Sequence, residues 1–338
     1  MTMFYFKYIE GVLLLGNPYV FVTRAVPEEA LNILRESFDI NVWEKDEPVS
    51  RNSLLEEVKK ADGLYVMLTD KIDKEVLDTA ANLKAVSIMA VGYDNIDVQT
   101  ATEKGILVTN TPGVLNDTTA DLTFALLMDT ARRLSESNRY LLEGKWKSWN
   151  PMFMAGQDIS GATLGIIGMG RIGEGVARRA KGFDMKTLYN NRNRKLEVEE
   201  KLGVEYRTMD DLLRESDFVV LLTPLTKETT NLIGKREFDL MKSSAVFINV
   251  SRGATVDEEA LYHALKEKKI WGAGLDVFRQ EPVSLDNPLL KLDNVVALPH
   301  IGSASIKTRK NMAILAAEGL RDALLGKQPE NVVNKELL

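Results

Sequence analysis

The sequence predicts an α/β protein made of two doubly wound parallel-sheet domains. Three observations carry this. Short apolar runs alternate with segments of helical periodicity from about residue 19 to residue 300, as parallel strands covered by helices on both faces do. One stretch, Ala162 to Arg194, holds strand, glycine turn, helix and strand in about thirty residues. Glycine, charge and histidine gather just past the later strands, where ligands bind in such sheets.

Taken in order, Tyr19-Val20-Phe21-Val22-Thr23 reads as the first strand. Pro27 opens a helix from Glu28 to Phe38, with Leu31, Leu34 and Phe38 on one face. Further strands are expected at 40–43, 63–68, 83–91 and 106–109, with helices at 53–60, 74–81 and 98–104. Asn116 or Asp117 caps a long helix through Arg133. That helix is apolar over much of its surface, which burial or a subunit interface would explain. Six strands follow, at 164–167, 186–189, 218–222, 245–249, 272–277 and 295–298. A last helix, Ser305 to Leu325, returns to the first domain. A Rossmann cofactor domain (111–303) is therefore expected to be inserted into a flavodoxin-like substrate domain (18–110 and 304–338).

The glycine turn is Gly168-Met169-Gly170-Arg171-Ile172-Gly173. Gly168 permits the tight turn, Gly170 the approach of a pyrophosphate, and Gly173 close packing of helix on strand. The N–H groups at the helix start then face the phosphates. An NAD site carries an acid at the end of the next strand, about 20 residues on. Here that end reads Tyr189-Asn190-Asn191-Arg192-Asn193-Arg194, with no acid and two arginines. Guanidinium suits a 2′-phosphate, so NADP(H) is the expected cofactor, with Arg192 the better contact and Asn191 beside it. NAD(H), bound without the acid, is the alternative.

Bulk properties exclude several classes. With 338 residues, 45% hydrophobic and 27% charged, the chain reads as a globular protein of about two domains. A net charge of −6 with dispersed lysine and arginine argues against nucleic acid and anionic membranes. There is no cysteine, hence no disulfide, thiolate metal site or catalytic thiol. No metal is expected, and a cytoplasmic setting is. No apolar run reaches a membrane span. The opening segment is broken by Lys7 and Glu10 and reads as neither signal peptide nor anchor.

Hydride transfer to a carbonyl needs a proton donor, and histidine is the usual one. The chain has two. His263 sits in a lysine-rich helix and reads as a surface residue. His300, just past the last strand, is the acid–base candidate. Asp276, Glu281 and Asp286 are the carboxylates that could orient it. Arg252, between a strand end and Gly253, is the cation for a substrate carboxylate.

The order Arg252, Glu281, His300 behind GMGRIG resembles the D-isomer-specific 2-hydroxyacid dehydrogenases. Val91–Asp97 (VGYDNID), Ile248–Leu261 (INVSRGATVDEEAL), Gly274–Pro282 (GLDVFRQEP) and Leu298–Ser305 (LPHIGSAS) are similar to that family's blocks. The likeness covers about residues 18–330. It implies that His300 protonates the carbonyl oxygen, that Glu281 keeps His300 charged and oriented, and that Arg252 binds the carboxylate. It implies further that the N–H groups of Val91 and Gly92 hold the carboxylate's other side. Gly170, Arg171 and Ile172 would meet the pyrophosphate. Thr119, Thr223, Pro224, Val250, Ser251, Asp276 and Gly302 would contact the rest of the cofactor, along with Arg252 and His300.

Within the family, Thr69–Asp73 (TDKID) and the Trp146-Trp149-Pro151 run look most like glyoxylate/hydroxypyruvate reductases, some of which reduce 2-ketogluconate. Homodimers are implied. Two alternatives remain: an NAD(H)-dependent D-lactate-like dehydrogenase, and a non-enzymatic cofactor-sensing corepressor on the same fold.

Overall fold

A computed structural model describes residues 17–338. The reading of the opening segment as neither signal peptide nor anchor falls on residues 1–16, outside the described residues. The chain forms two compact units. One runs to Leu115 and takes in Ser305–Leu338; the other is Asn116–Ala304.

The first unit has five strands: β1 (Tyr19–Val22), β2 (Asp39–Val42), β3 (Gly63–Val66), β4 (Ala85–Ile88) and β5 (Leu107–Thr109). They pair in parallel in the order β2-β1-β3-β4-β5. β3 and β4 are buried at every position, as central parallel strands are. The helix Ile306–Leu324 packs on this sheet with Ala313, Ala316, Ala317 and Leu320 buried against Val20, Tyr65 and Ala85. Within that contact the Tyr65 hydroxyl donates to Ala313 O at 3.1 Å, and Ser87 Oγ donates to Ala316 O at 2.7 Å. Each such bond nets about 1 kcal/mol, less than burying one large apolar side chain. Apolar burial therefore drives the docking, and the two hydroxyls fix its register.

The second unit has seven strands: β6 (Thr163–Ile167), β7 (Lys186–Asn190), β8 (Glu205–Tyr206), β9 (Phe218–Leu221), β10 (Val246–Asn249), β11 (Gly272–Leu275) and β12 (Val295–Ala297). Their order is β12-β11-β10-β9-β6-β7-β8, all parallel, the doubly wound arrangement of dinucleotide-binding sheets. Six strands are legible in the sequence; β8 is two residues long and carries no readable pattern.

The helix Asn116–Arg132 starts at Asn116, so Asn116 and Asp117 lie inside its first turn rather than capping it. Its apolar face is consumed within the unit. Ala120, Phe124, Leu126, Leu127 and Ala131 join the core that also holds Leu164, Val176 and Ile248. A run of exposed apolar side chains lies further on, at Leu134, Leu141, Leu142, Trp146, Trp149, Met152 and Phe153.

Candidate active site

The cofactor cradle is built first by glycine. Gly168 follows β6 at φ 104°, and a Cβ there would stand 2.8 Å from the Leu222 carbonyl carbon. A side chain is excluded by both backbone angle and space. Gly173 lies in the first turn of the helix Arg171–Lys181, and its Cβ would meet Gly168 O at 2.6 Å. At Gly170 a Cβ would meet nothing within 4 Å, so that side of the turn is open. Gly170 is the helix N-cap and offers no side chain. The N–H groups of Arg171, Ile172 and Gly173, at the helix start, have no acceptor among the described residues and suit a phosphate.

The loop past β7 is shaped by bonds that use up its side chains. Asn191 Oδ1 accepts the Met169 N–H at 2.7 Å, bracing the glycine turn. Asn190 Nδ2 donates to Arg207 O at 2.8 Å. Arg194 makes a paired contact with Glu199, both distances 2.7 Å, and lies over the Tyr206 ring. Arg194 and the Tyr189 hydroxyl together hold the Glu199 carboxyl at about 2, well below its ordinary 4.5. Arg192 is exposed and makes no ion pair among the described residues. Of the two arginines, the loop leaves Arg192 available.

Past β9, the Thr223 hydroxyl is buried without a hydrogen-bond partner among the described residues. It stands beside backbone that crowds Gly168. Pro224 follows, exposed. Gly302 lies where Thr119, Val250 and Asp276 meet: an added Cβ would be 3.1 Å from Asp276 Oδ2, 3.4 Å from Thr119 Cγ2 and 3.5 Å from Val250 Cγ1. An open glycine turn, free helix N–H groups and an orphaned hydroxyl together fit a dinucleotide.

Charged groups converge beyond β10, β11 and β12. Arg252 follows β10, half-buried, with Nη1 donating to Ser251 O at 2.9 Å. Ser251 Oγ donates in turn to Asn249 Oδ1 at 2.7 Å. Gly253 packs directly on the loop past β11, where a Cβ would sit 1.8 Å from the Phe278 carbonyl carbon. Only glycine fits there, and this contact joins the arginine loop to the glutamate loop. Glu281 Oε1 accepts the Phe278 N–H at 3.0 Å, and Glu281 Oε2 meets His300 Nδ1 at 2.7 Å. Burial opposes ionisation of Glu281. The bond to His300 and its charge, then the Phe278 N–H and the Arg252 charge, outweigh that and hold the carboxyl below its ordinary value.

His300 itself sits in the left-handed region at φ 53°. Asp276 explains how. It is 1% exposed, and its two carboxylate oxygens accept the N–H groups of Ile301 at 2.7 Å and Gly302 at 2.8 Å, while its carbonyl accepts the His300 N–H at 2.9 Å. Burial raises the Asp276 carboxyl; the same N–H bonds and the His300 charge pull against that. The three carboxylates open in the sequence therefore separate by task. Glu281 pairs with His300, Asp276 folds its loop, and Asp286 is exposed beside Lys291 at 3.8 Å. His263 lies on the exposed face of its helix, 3.6 Å from Glu267.

In the first unit, Val91 and Gly92 follow the carboxyl end of β4, half-buried. The Val91 carbonyl accepts from Asn110 Nδ2 at 2.8 Å. The N–H groups of both residues have no acceptor among the described residues.

The match to known proteins follows this geometry. The model of the D-isomer specific 2-hydroxyacid dehydrogenase NAD-binding domain matches residues 124–302. The chain is 54% identical over 323 residues to a glyoxylate reductase of Korarchaeum cryptofilum, covering 95% of this chain and 97% of that one.

The chain belongs to the D-isomer-specific 2-hydroxyacid dehydrogenases.

It is accordingly an oxidoreductase. A glyoxylate reductase of Pyrococcus horikoshii is 50% identical over 326 residues, covering 95% and 97% of the two chains. Among solved structures, the TT0316 protein of Thermus thermophilus superposes with TM-score 0.88 at 44% identity, covering 93% and 99% of the two chains. An NADPH-dependent glyoxylate/hydroxypyruvate reductase of Sinorhizobium meliloti, in complex with NADP and malonate, gives 0.81 at 32%, covering 94% and 97%. In this dehydrogenase, sequence reasoning missed Glu258, which bonds the backbone of the glutamate loop. Its only sequence signal is its place in the block Ile248–Leu261.

Proposed function

We propose that the chain reduces a small 2-keto acid, glyoxylate, hydroxypyruvate or 2-ketogluconate, to the D-2-hydroxy acid with NADPH. The observation that carries this is the 2.7 Å pairing of His300 Nδ1 with Glu281 Oε2, with Arg252 charged nearby. Glu281 occupies one ring nitrogen, so Nε2 of the charged ring is the proton donor. Arg252 binds the substrate carboxylate and polarises the keto group. On the first unit, the N–H groups of Val91 and Gly92 are donors of the kind a carboxylate accepts. Bound NADPH supplies the hydride. As the carbonyl carbon is reduced, His300 gives its proton to the oxygen, and Glu281 stabilises the imidazolium beforehand and releases neutral imidazole after.

NADPH is favoured over NADH by the loop past β7: it has no acid, Arg194 is committed to Glu199, and Arg192, whose charge acts on Glu228, makes no ion pair among the described residues. A relative described as NADPH-dependent agrees. A cytoplasmic setting, with its free NADPH, goes with this reading. Two copies are proposed to pair through the apolar face around Leu142, Trp149 and Met152, which are 77%, 78% and 75% exposed; light scattering reads the oligomer directly.

The test is initial rates with the three acids, each with NADPH and with NADH. Turnover that prefers NADPH supports the whole reading. A preference for NADH keeps the enzyme and discards the Arg192 argument. Binding of either cofactor without turnover on any acid would favour the sensor alternative.

A further inference from the structure

We infer that Glu258 is a positioning residue for the proton donor, holding the loop that presents Glu281 to His300. The inference rests on the His300 reading above. Glu258 lies in the first turn of the helix Glu258–Lys266, but it does not cap that helix. Asp257 does, accepting the N–H groups of Glu259 and Ala260. Glu258 reaches instead to the loop past β11. Its Oε1 accepts the Arg279 N–H at 2.5 Å, and its Oε2 accepts from Asn287 Nδ2 at 3.3 Å.

Two consecutive N–H groups of that loop are therefore held by carboxylates. Phe278 N–H goes to Glu281 itself, and Arg279 N–H goes to Glu258. Arg279 Nη1 adds a bond to Asn231 Oδ1 at 2.9 Å. Gly253 closes the other side by contact with the Phe278 carbonyl. Held at these points, the loop sets the 2.7 Å distance between Glu281 Oε2 and His300 Nδ1. Hydrogen bonds weaken steeply with distance and angle. Releasing Arg279 N–H frees the loop one residue from the group that fixes Glu281, so the imidazolium loses part of its partner.

The other charges facing the pair are Arg252, which acts on Glu281, and Asp276, which acts beneath His300. A purely structural role is separable. Glu259 is a second acid in the same first turn, so loss of Glu258 leaves a negative charge at the helix start.

The experiment compares wild type with Glu258→Ala, Glu258→Asp and Glu258→Gln as full chains, with His300→Gln in parallel. It reads kcat/KM for glyoxylate with NADPH against pH, NADPH affinity by fluorescence, and melting temperature. Glu258→Ala should lose about tenfold in kcat/KM at neutral pH. The high-pH limb of its rate profile should move to lower pH, while NADPH affinity holds within about twofold. Glu258→Asp, too short to reach Arg279, should shift the limb the same way, and it serves if the alanine variant does not fold. Glu258→Gln keeps an acceptor oxygen for the Arg279 N–H and should retain most activity. A wild-type pH profile in the alanine or aspartate variant, whatever its melting temperature, overturns the inference. If His300→Gln keeps its turnover, the proton-donor reading falls and takes this one with it. If His300→Gln is inactive and the Glu258 profiles are unchanged, Glu258 alone is excluded.

Discussion

The two sheets are wound by the same rule and furnished differently at their strand ends. In the first unit, Asp70 and Asn95, past β3 and β4, bond chiefly to nearby loop groups. Asp70, 3% exposed, accepts the Met67 N–H at 2.7 Å and the Thr23 hydroxyl. Asn95 Nδ2 donates to Asp70 O at 2.7 Å and Met67 O at 3.1 Å. Asn95 Oδ1 is buried without a hydrogen-bond partner among the described residues, and the N–H groups of Val91 and Gly92 have no acceptor among them. In the second unit, Arg252, Glu281 and His300 stand past β10, β11 and β12 with their charges bonded to one another or to their loops. One architecture thus leaves main-chain N–H groups past its strands in one unit and an Arg–Glu–His side-chain set in the other. Function is set by what the loops carry, not by the sheet.

Substitutions sharpen that contrast. Arg252→Ala should cost the most after His300, about a hundredfold or more in kcat/KM for the keto acid, since it removes the charge that binds the carboxylate. NADPH affinity, read by fluorescence, should change little by comparison. If kcat/KM stays near wild type, Arg252 does not hold the carboxylate and the contrast is misdrawn.

Arg192→Ser comes next, with NADPH weakened about tenfold or more and NADH nearly unchanged. Equal loss of both cofactors would remove the 2′-phosphate assignment.

Asp70→Asn should have the smallest effect on turnover, because the residue faces its own loop. Its signature is in stability. Burial raises the Asp70 carboxyl above its ordinary 3.8, against the Thr23 and Met67 bonds. A raised carboxyl contributes its stability below 3.8 and loses it as pH rises through the folded value. The melting temperature of Asp70→Asn relative to wild type should therefore be higher at neutral pH than in acid. A difference independent of pH would mean that the carboxyl is not raised.

Much of this was legible before any coordinates. Parallel strands buried on both faces write themselves as apolar runs, and the glycine turn marks the cofactor's place. His300 stood out because a histidine past the last strand has few structural reasons to be there. Four things were hidden, each for a physical reason. Spacing could not separate Glu281 from Asp276 and Asp286, because which carboxylate meets the imidazole depends on loop geometry. Asn191 reads as a cofactor contact, but its oxygen is committed to the Met169 N–H, a bond between residues 22 positions apart. The helix Asn116–Arg132 looks as apolar as an interface, yet that face belongs to its own core. Glu258 was the least visible, since an acid in a first helical turn is what the helix dipole favours anyway.

The central claim is that His300, paired with Glu281, is the proton donor. Turnover of His300→Gln on glyoxylate with NADPH, measured beside NADPH affinity, tests it most directly. The account predicts a loss of about 10² to 10⁴ in kcat with the cofactor still bound. Turnover near wild type at intact affinity would contradict it.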